Sequence, residues 1–237
     1  MKKLSIYIAV FIFVLIITFV FLVNNKKQEI VQNLPIPQAI GMCYQYFGDT
    51  SNGLADRAWL KMSILGDKVT GEYHNLPAEK DSKVGTFTGV VGPMDPKISA
   101  RIADVWWDSL AEGMQVTEQL KIEFGEGSAV ALFGEMVDRG DGVYVYKDAT
   151  KLTPAFQMSQ TDCESLQERL VVEKYIRENI KTITPEKPVL GGSWYVTFVN
   201  VNPSMKTGTM TYEDGHIQGH KSFSYTINNN EVKINLE

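Results

Sequence analysis

The chain begins with a long apolar segment, and most of the remainder alternates between apolar and polar positions. Residues 4–23 contain only Ser5 and Thr18 as polar interruptions. Twenty residues in a helix rise about 30 Å, which matches the hydrocarbon thickness of a bilayer. The pattern predicts a transmembrane helix within residues 1–27, followed by a proline-containing linker at 28–40.

A cleaved secretory signal is the alternative interpretation of this segment. Signal h-regions usually span about 7–15 residues, and residues 21–25 offer no small-x-small cleavage site. The pattern therefore favours an uncleaved signal-anchor. Lys2 and Lys3 precede the apolar run and Lys26 and Lys27 follow it, so the charges alone do not orient it.

A β domain is predicted at residues 41–160, because apolar and polar residues alternate with period two from Cys43 to Lys147. A two-residue turn at Gly66-Asp67 would place Leu60 opposite Tyr73, with opposite charges paired on the other face. One face of this hairpin is then wholly apolar.

A second hairpin is predicted around the loop Gly125-Glu126-Gly127. In that register Phe124 lies opposite Ser128, and Val116 lies opposite Met136. Both strands then present their apolar residues to the same side.

About eight short antiparallel strands result when further strands are placed at 43–47, 84–91, 98–107 and 143–147. Eight such strands can avoid open edges by closing into an up-and-down barrel. A two-sheet sandwich satisfies the same pattern, and the sequence leaves both open.

One soluble helix is predicted at residues 161–184. Thr161 and Glu164 have the spacing of a capping box, and Pro185 stops the helix. Its apolar residues fall on one side: Leu166, Leu170, Val172, Ile176 and Ile180.

A small four-stranded antiparallel meander is predicted at residues 189–237. A turn at Asp214-Gly215 would place Glu213 opposite His216, and Asn229-Asn230 would connect the last two strands.

The charge balance excludes one class of partner. Without the four lysines that flank the apolar run, 19 basic residues remain against 28 acidic ones. A body this acidic argues against nucleic-acid binding through a broad basic face.

Cys43 and Cys163, the two cysteines of the chain, bracket the β-rich region. A disulfide between them would tie its two ends together, whereas two unrelated buried thiols are the alternative. Disulfides persist in exported proteins, so we expect a short N-terminus inside the cell and the body outside it.

Candidate catalytic chemistry is weak. His216 and His220 lie four residues apart, but on a strand this spacing spans about 13 Å, too far for one metal ion. No serine or cysteine has a recognisable catalytic partner. Carboxylate pairs could support a glycosidase, and the candidates are Glu79, Asp81, Glu112, Glu118, Glu135, Asp138 and Asp141. We predict no catalytic residue, metal or cofactor.

Trp106 and Trp107 are the most specific binding signal. Adjacent side chains on a strand point to opposite faces, so one indole should enter the core and the other should face outward or a cavity mouth.

An ordered series of short motifs runs over roughly residues 43–147. It comprises Cys43-Tyr44, Leu60-x-Met62-x-Ile64, Val69-x-Gly71, Glu79-Lys80-Asp81, Gly85-Thr86-x-x-Gly89 and Glu112-Gly113. This series resembles a family of small, uncharacterised bacterial exported proteins and lipoproteins with a lipocalin-like β-barrel. Members of that family usually carry their first cysteine at a lipoprotein site, whereas here Cys43 lies twenty residues beyond the apolar run. The resemblance implies a calyx or compact barrel in the cell envelope and no reaction.

These observations predict a single-pass protein of the bacterial cytoplasmic membrane with an exported, non-catalytic binding domain. We expect a small hydrophobic ligand or an envelope component at the barrel, near Trp106, Trp107, Glu79, Asp81 and Glu112. A protein-interaction or inhibitor module is the alternative, and a carboxylate-dependent hydrolase comes third.

Overall fold

The computed structural model describes residues 38–48, 55–78, 80–189, 191–229 and 231–237. The predicted membrane helix, most of the predicted linker and Glu79 lie outside these residues. The described part of the chain is mainly β, with two separate sheets and one helix, α1 (Cys163–Ile183).

Eight strands of the larger sheet close into a ring. They are β1 (Ile40–Phe47), β2 (Arg57–Leu65), β3 (Lys68–Leu76), β4 (Lys83–Val91), β5 (Ala100–Ala111), β6 (Met114–Gly125), β7 (Ser128–Phe133) and β11 (Met158–Thr161). Strands β1 to β7 pair in chain order, and β11 joins β7 to β1. All of these pairings are antiparallel.

The first predicted hairpin is confirmed. Leu65 pairs with Lys68 and Leu60 with Tyr73 across β2 and β3. Gly71 lies under the ring of Phe87, because a Cβ there would lie 2.2 Å from the carbonyl oxygen of Lys61 and 2.4 Å from Cζ of Phe87. This close approach requires glycine.

The predicted register of β6 and β7 is wrong by one residue. The turn is the pair Glu126-Gly127, with Gly127 at φ 91°, and Phe124 pairs with Ala129 rather than with Ser128. The shift turns Ala129 and Ala131 into the interior, where small side chains fit beside the larger residues of β6.

Three short strands flank the ring, and they explain why Val116 does not face Met136. They are β8 (Met136–Asp138), β9 (Val143–Tyr146) and β10 (Thr153–Pro154). Strand β9 pairs in parallel with β6, and Met136 belongs to β8, which pairs with β9. Val116 instead pairs with Ser109 of β5.

Large side chains fill the interior of the ring. The biggest of them, each less than 2% exposed, are Tyr44, Leu60, Tyr73, Phe87, Trp107, Leu120, Ile122 and Met158. The ring centroids of Tyr73 and Trp107 lie 5.2 Å apart. The protein's own side chains therefore occupy the centre of the ring.

Helix α1 begins two residues after Thr161. The N-cap is Asp162, whose carboxylate accepts a hydrogen bond from the backbone N–H of Ser165 at 2.8 Å. The sequence predicts Thr161 as the cap, but Thr161 pairs with Cys43 in the β1–β11 ladder and does not cap the helix.

The apolar residues of α1 pack in two places, against the second sheet and beside the ring, whereas the sequence predicts a single apolar side. Val172, Ile176 and Ile180 belong to the core of the second sheet. Leu166 and Leu170 instead line a groove against the ring.

The second sheet is the predicted four-stranded meander, of β12 (Tyr195–Asn202), β13 (Thr207–Glu213), β14 (Gln218–Asn228) and β15 (Glu231–Leu236). The turn at Asp214 is two residues longer than predicted, so Glu213 pairs with Gln218 and not with His216. The Asp214 carboxylate stabilises this longer loop, because it accepts hydrogen bonds from the backbone N–H groups of His216 and Ile217, both at 2.9 Å.

The two cysteines lie at disulfide-bonding distance, as the sequence predicts. Their Sγ atoms are 2.09 Å apart, and the bond joins β1 to the first residue of α1.

Candidate functional site

The two predicted tryptophans point to opposite faces of β5. Trp107 is fully buried in the ring, and Trp106 is 39% exposed on the outer face. The guanidinium carbon of Arg139 lies 5.5 Å from the centroid of Trp106.

The structure brings together two of the three predicted acidic residues. Asp81 precedes β4, and Glu112 lies in the turn between β5 and β6. A hydrogen bond with Asp81, reinforced by its charge, raises the pKa of Glu112 above its ordinary value. Both side chains are exposed, so water competes with any ligand there.

The histidines of the meander lie apart from any metal-like cluster. His216 is in the Asp214 loop, and His220 Nδ1 lies 3.2 Å from Thr211 Oγ1 on the neighbouring strand. The expected partner of His216, Glu213, accepts a hydrogen bond from Tyr195 instead. Within the described ranges no group of three or more His, Cys, Asp or Glu residues could hold a metal ion.

A groove of about 690 Å³ separates α1 from the outer face of β1, β2 and β3. Its volume lies within the range of small-molecule clefts, about 300–1,000 Å³. The strands contribute alternate, outward-facing residues, among them Trp59, Lys61, Glu72 and His74. The helix contributes a stripe of residues three or four positions apart: Leu166, Arg169, Leu170, Glu173 and Arg177.

A nearly buried carboxylate joins the two walls of the groove. Arg57 of β2 and Arg177 of α1 both donate to Glu173, whose side chain is 12% exposed. Burial by itself would raise the pKa of Glu173, but the two guanidinium groups more than offset it and hold the pKa below its ordinary value. A second link runs from Lys61 Nζ to Gln167 Oε1, at 2.5 Å.

A stacked pair of aromatic side chains lines the strand side of the groove. The rings of Trp59 and His74 stack with centroids 3.7 Å apart. Burial lowers the pKa of His74, and its contact with Glu72 at 2.8 Å offsets part of that lowering. At neutral pH the histidine is therefore uncharged, and the stack presents an apolar face.

The groove is cationic although the whole chain is acidic. Five lysine and arginine side chains line it against three carboxylates, whereas the full sequence has 23 basic and 28 acidic residues. Arg57 and Arg177 share the single carboxylate of Glu173, and Lys174 lies 3.8 Å from Glu178.

Arg169 makes no ion pair with the described residues. Its guanidinium carbon lies 4.6 Å from the centroid of Phe47, and its Nε is buried without a hydrogen-bond acceptor in the part of the chain that the structure describes. Burial lowers its pKa, and the charge of nearby Glu173 restores part of that loss. Arg169 is thus a groove-lining cation that none of the described carboxylates binds in an ion pair.

The chain matches no protein-family model, no curated protein and no solved structure. No helix in the described part of the chain is both long and apolar enough to span a bilayer. The geometry of the groove and the sequence pattern therefore carry the functional inference.

Sequence reasoning missed the groove, although two signals for it are present. Arg169, Glu173 and Arg177 form a charged stripe with a spacing of four residues along a helix. Trp59 and His74 take outward positions in a hairpin whose register was predicted correctly. Neither signal says that the helix packs against this hairpin, which is a tertiary contact between distant parts of the chain.

Proposed function

We propose that the chain is a non-catalytic binding protein of the bacterial envelope, and that its ligand occupies the groove between α1 and strands β1–β3. The observation that carries this proposal is the groove itself, a cleft of about 690 Å³ with an aromatic wall and an excess of cations. The walls are joined by Glu173 and by Lys61, so the site is preformed.

Membrane anchoring and export form part of the proposal. The apolar run at 4–23 supports a single-pass anchor in the cytoplasmic membrane with the body outside the cytoplasm. The cysteine pair at bonding distance supports an oxidising compartment.

For the fold we propose the lipocalin-like, up-and-down barrel that the family resemblance implies. The sequential pairing of β1 to β7 and the closure through β11 support it. Packed side chains fill the centre of the ring, which favours the outer groove over a calyx as the binding site.

A protein-interaction module is the second candidate, and the exposed indole of Trp106 favours it. This side chain lies on the outer face of β5, with Arg139 beside it and an ion pair between Arg139 and Asp141 in the adjacent loop. An exposed tryptophan next to arginine is typical of protein-binding surfaces.

The groove is tested with a neutral aromatic probe, naphthalene-2-carboxamide. The full chain in lipid nanodiscs is titrated calorimetrically, and the heat from empty nanodiscs is subtracted. Leu170→Trp fills the groove from the helix side and should abolish binding, whereas Leu110→Trp makes the same substitution at an exposed position and should not.

Binding that survives Leu170→Trp would contradict the proposed site. Probe binding that is instead lost on replacing Trp106 by alanine would favour the interaction surface on β5. Thermal unfolding of each variant establishes that the altered protein is folded.

A further inference from the structure

We infer that the ligand of the groove is a small organic anion, in which a carboxylate binds Arg169 and an aromatic or apolar body lies against the Trp59–His74 stack. This inference rests on the proposed function, because it names the ligand class of the same site.

Charge complementarity is the first argument. The excess of cations stands out in a chain with more acidic than basic residues, so it is local to this groove. A groove with an excess of one charge concentrates ligands of the opposite charge.

The ion pairs and hydrogen bonds of these cations show which one is available to bind an anionic ligand. Arg57 and Arg177 are both committed to Glu173, and Lys61 Nζ donates to Gln167. The Lys174 side chain is 72% exposed, so solvent screens its charge. Arg169 is the remaining lining cation, and it has no ion-pair partner among the described residues.

The environment of Arg169 makes an anionic ligand favourable. The guanidinium of Arg169 is half-buried, and the nearby charge of Glu173 compensates only part of its desolvation, so a bound oxyanion would supply the remaining compensation. The guanidinium carbon lies 4.6 Å from the centroid of the Phe47 ring, and a guanidinium placed over an aromatic ring keeps its in-plane N–H groups for hydrogen bonding. The Nε–H itself is buried, so the terminal nitrogens of Arg169 are the donors from which a carboxylate in the groove can accept hydrogen bonds.

The opposite wall determines the rest of the ligand. Trp59 and His74 form a stacked aromatic pair on this wall, and aromatic or apolar groups of a ligand pack favourably against such a pair. A ligand that combines one planar apolar group with one carboxylate uses both walls of the groove.

Two probes of nearly the same shape test the charge requirement. Naphthalene-2-carboxylate carries the anion, and naphthalene-2-carboxamide is its neutral counterpart. Both are titrated against the full chain in nanodiscs, with the heat from empty nanodiscs subtracted. We expect the carboxylate to bind about ten-fold or more tightly than the carboxamide, as a charge-assisted hydrogen bond contributes.

Variants of Arg169 locate the effect. Arg169→Gln should remove the preference for the carboxylate, so that the two probes bind about equally. Arg169→Lys keeps the positive charge but lacks the paired N–H donors of the guanidinium, and it should retain part of the preference. This variant also tests the inference if Arg169→Gln does not fold. Lys174→Gln removes an exposed charge from the same groove and should retain the whole preference.

The outcomes separate this inference from the proposed function. If both probes bind equally to the unmodified protein, or if Arg169→Lys and Arg169→Gln both retain the full preference, the anion inference is overturned and the groove remains a binding site. If neither probe binds, the proposed function fails together with it.

Discussion

Removal of the Cys43–Cys163 bond is expected to destabilise the protein by about 5 kcal/mol. The two cysteines are 120 positions apart, and this estimate is the loop-closure entropy that a cross-link of that span removes from the unfolded chain. The perturbation is the double variant Cys43→Ala and Cys163→Ala. The unmodified protein reduced with dithiothreitol is the matched control, because it loses the bond and keeps both side chains.

The assay is urea unfolding followed by the intrinsic fluorescence of the four tryptophans, of which Trp107 is fully buried, with folding and unfolding rates measured at each urea concentration. The bond acts mainly on the unfolded ensemble, so its removal should slow folding and leave the unfolding rate nearly unchanged. The reduced protein and the double variant should show the same loss.

Two results would refute this reasoning. A loss below about 1 kcal/mol in both samples would mean that the unfolded chain keeps the cysteines close without the bond. A loss confined to the unfolding rate would mean that the bond holds native packing together instead of restricting the unfolded chain.

Three further predictions use matched pairs or a pH series. Trp107→Ala should cost about 3–5 kcal/mol in urea unfolding, because the indole is fully buried, and Trp106→Ala on the outer face should cost less than about 1 kcal/mol. Gly71→Ala should destabilise the folded protein by at least about 1–3 kcal/mol, because the new Cβ meets the Lys61 backbone. Gly41→Ala adds a methyl group in open space and should leave the stability unchanged. The Glu173 carboxylate has a folded-state pKa below its unfolded value of 4.5, so its contribution to stability is present above that pH and is lost as the pH falls through the folded-state pKa. Glu173→Gln should therefore flatten the acid side of a thermal-unfolding pH series, and an unchanged slope would contradict the ion-pair assignment.

Local patterns were sufficient to predict β1 to β7, the meander, the helix and the two-residue turn at Gly66-Asp67, since these depend on side-chain alternation and on turn residues. They did not predict β11, which closes the ring, and the expected eighth strand at 143–147 is β9, which pairs in parallel with β6 beside the ring. They also failed at a loop whose length depends on hydrogen bonds that reach beyond the turn. Asp214 illustrates this, because its carboxylate binds two N–H groups of the loop and also the N–H of Val189, which lies outside the hairpin. A shift of two residues keeps every side chain on its face, so the apolar pattern cannot detect it.

The β6–β7 register fails for a different reason. Alternation favours Val130 and Leu132 as interior residues, but the structure places Ala129 and Ala131 there. Space inside the ring depends on the aromatic residues of distant strands, and a two-strand pattern contains no information about them. The groove has the same origin, because the contact between Glu173 and Arg57 joins residues 116 positions apart.

The bond between Cys43 and Cys163 also determines how the molecule bears mechanical tension. A force applied between the start of β1 and the C-terminus passes through the two sulfur atoms directly into α1. Residues 44–162, which include nearly the whole ring, are then bypassed and carry no load. Under tension the four-stranded meander would unravel first while the ring stays folded, and reduction of the bond would expose the ring to the same force.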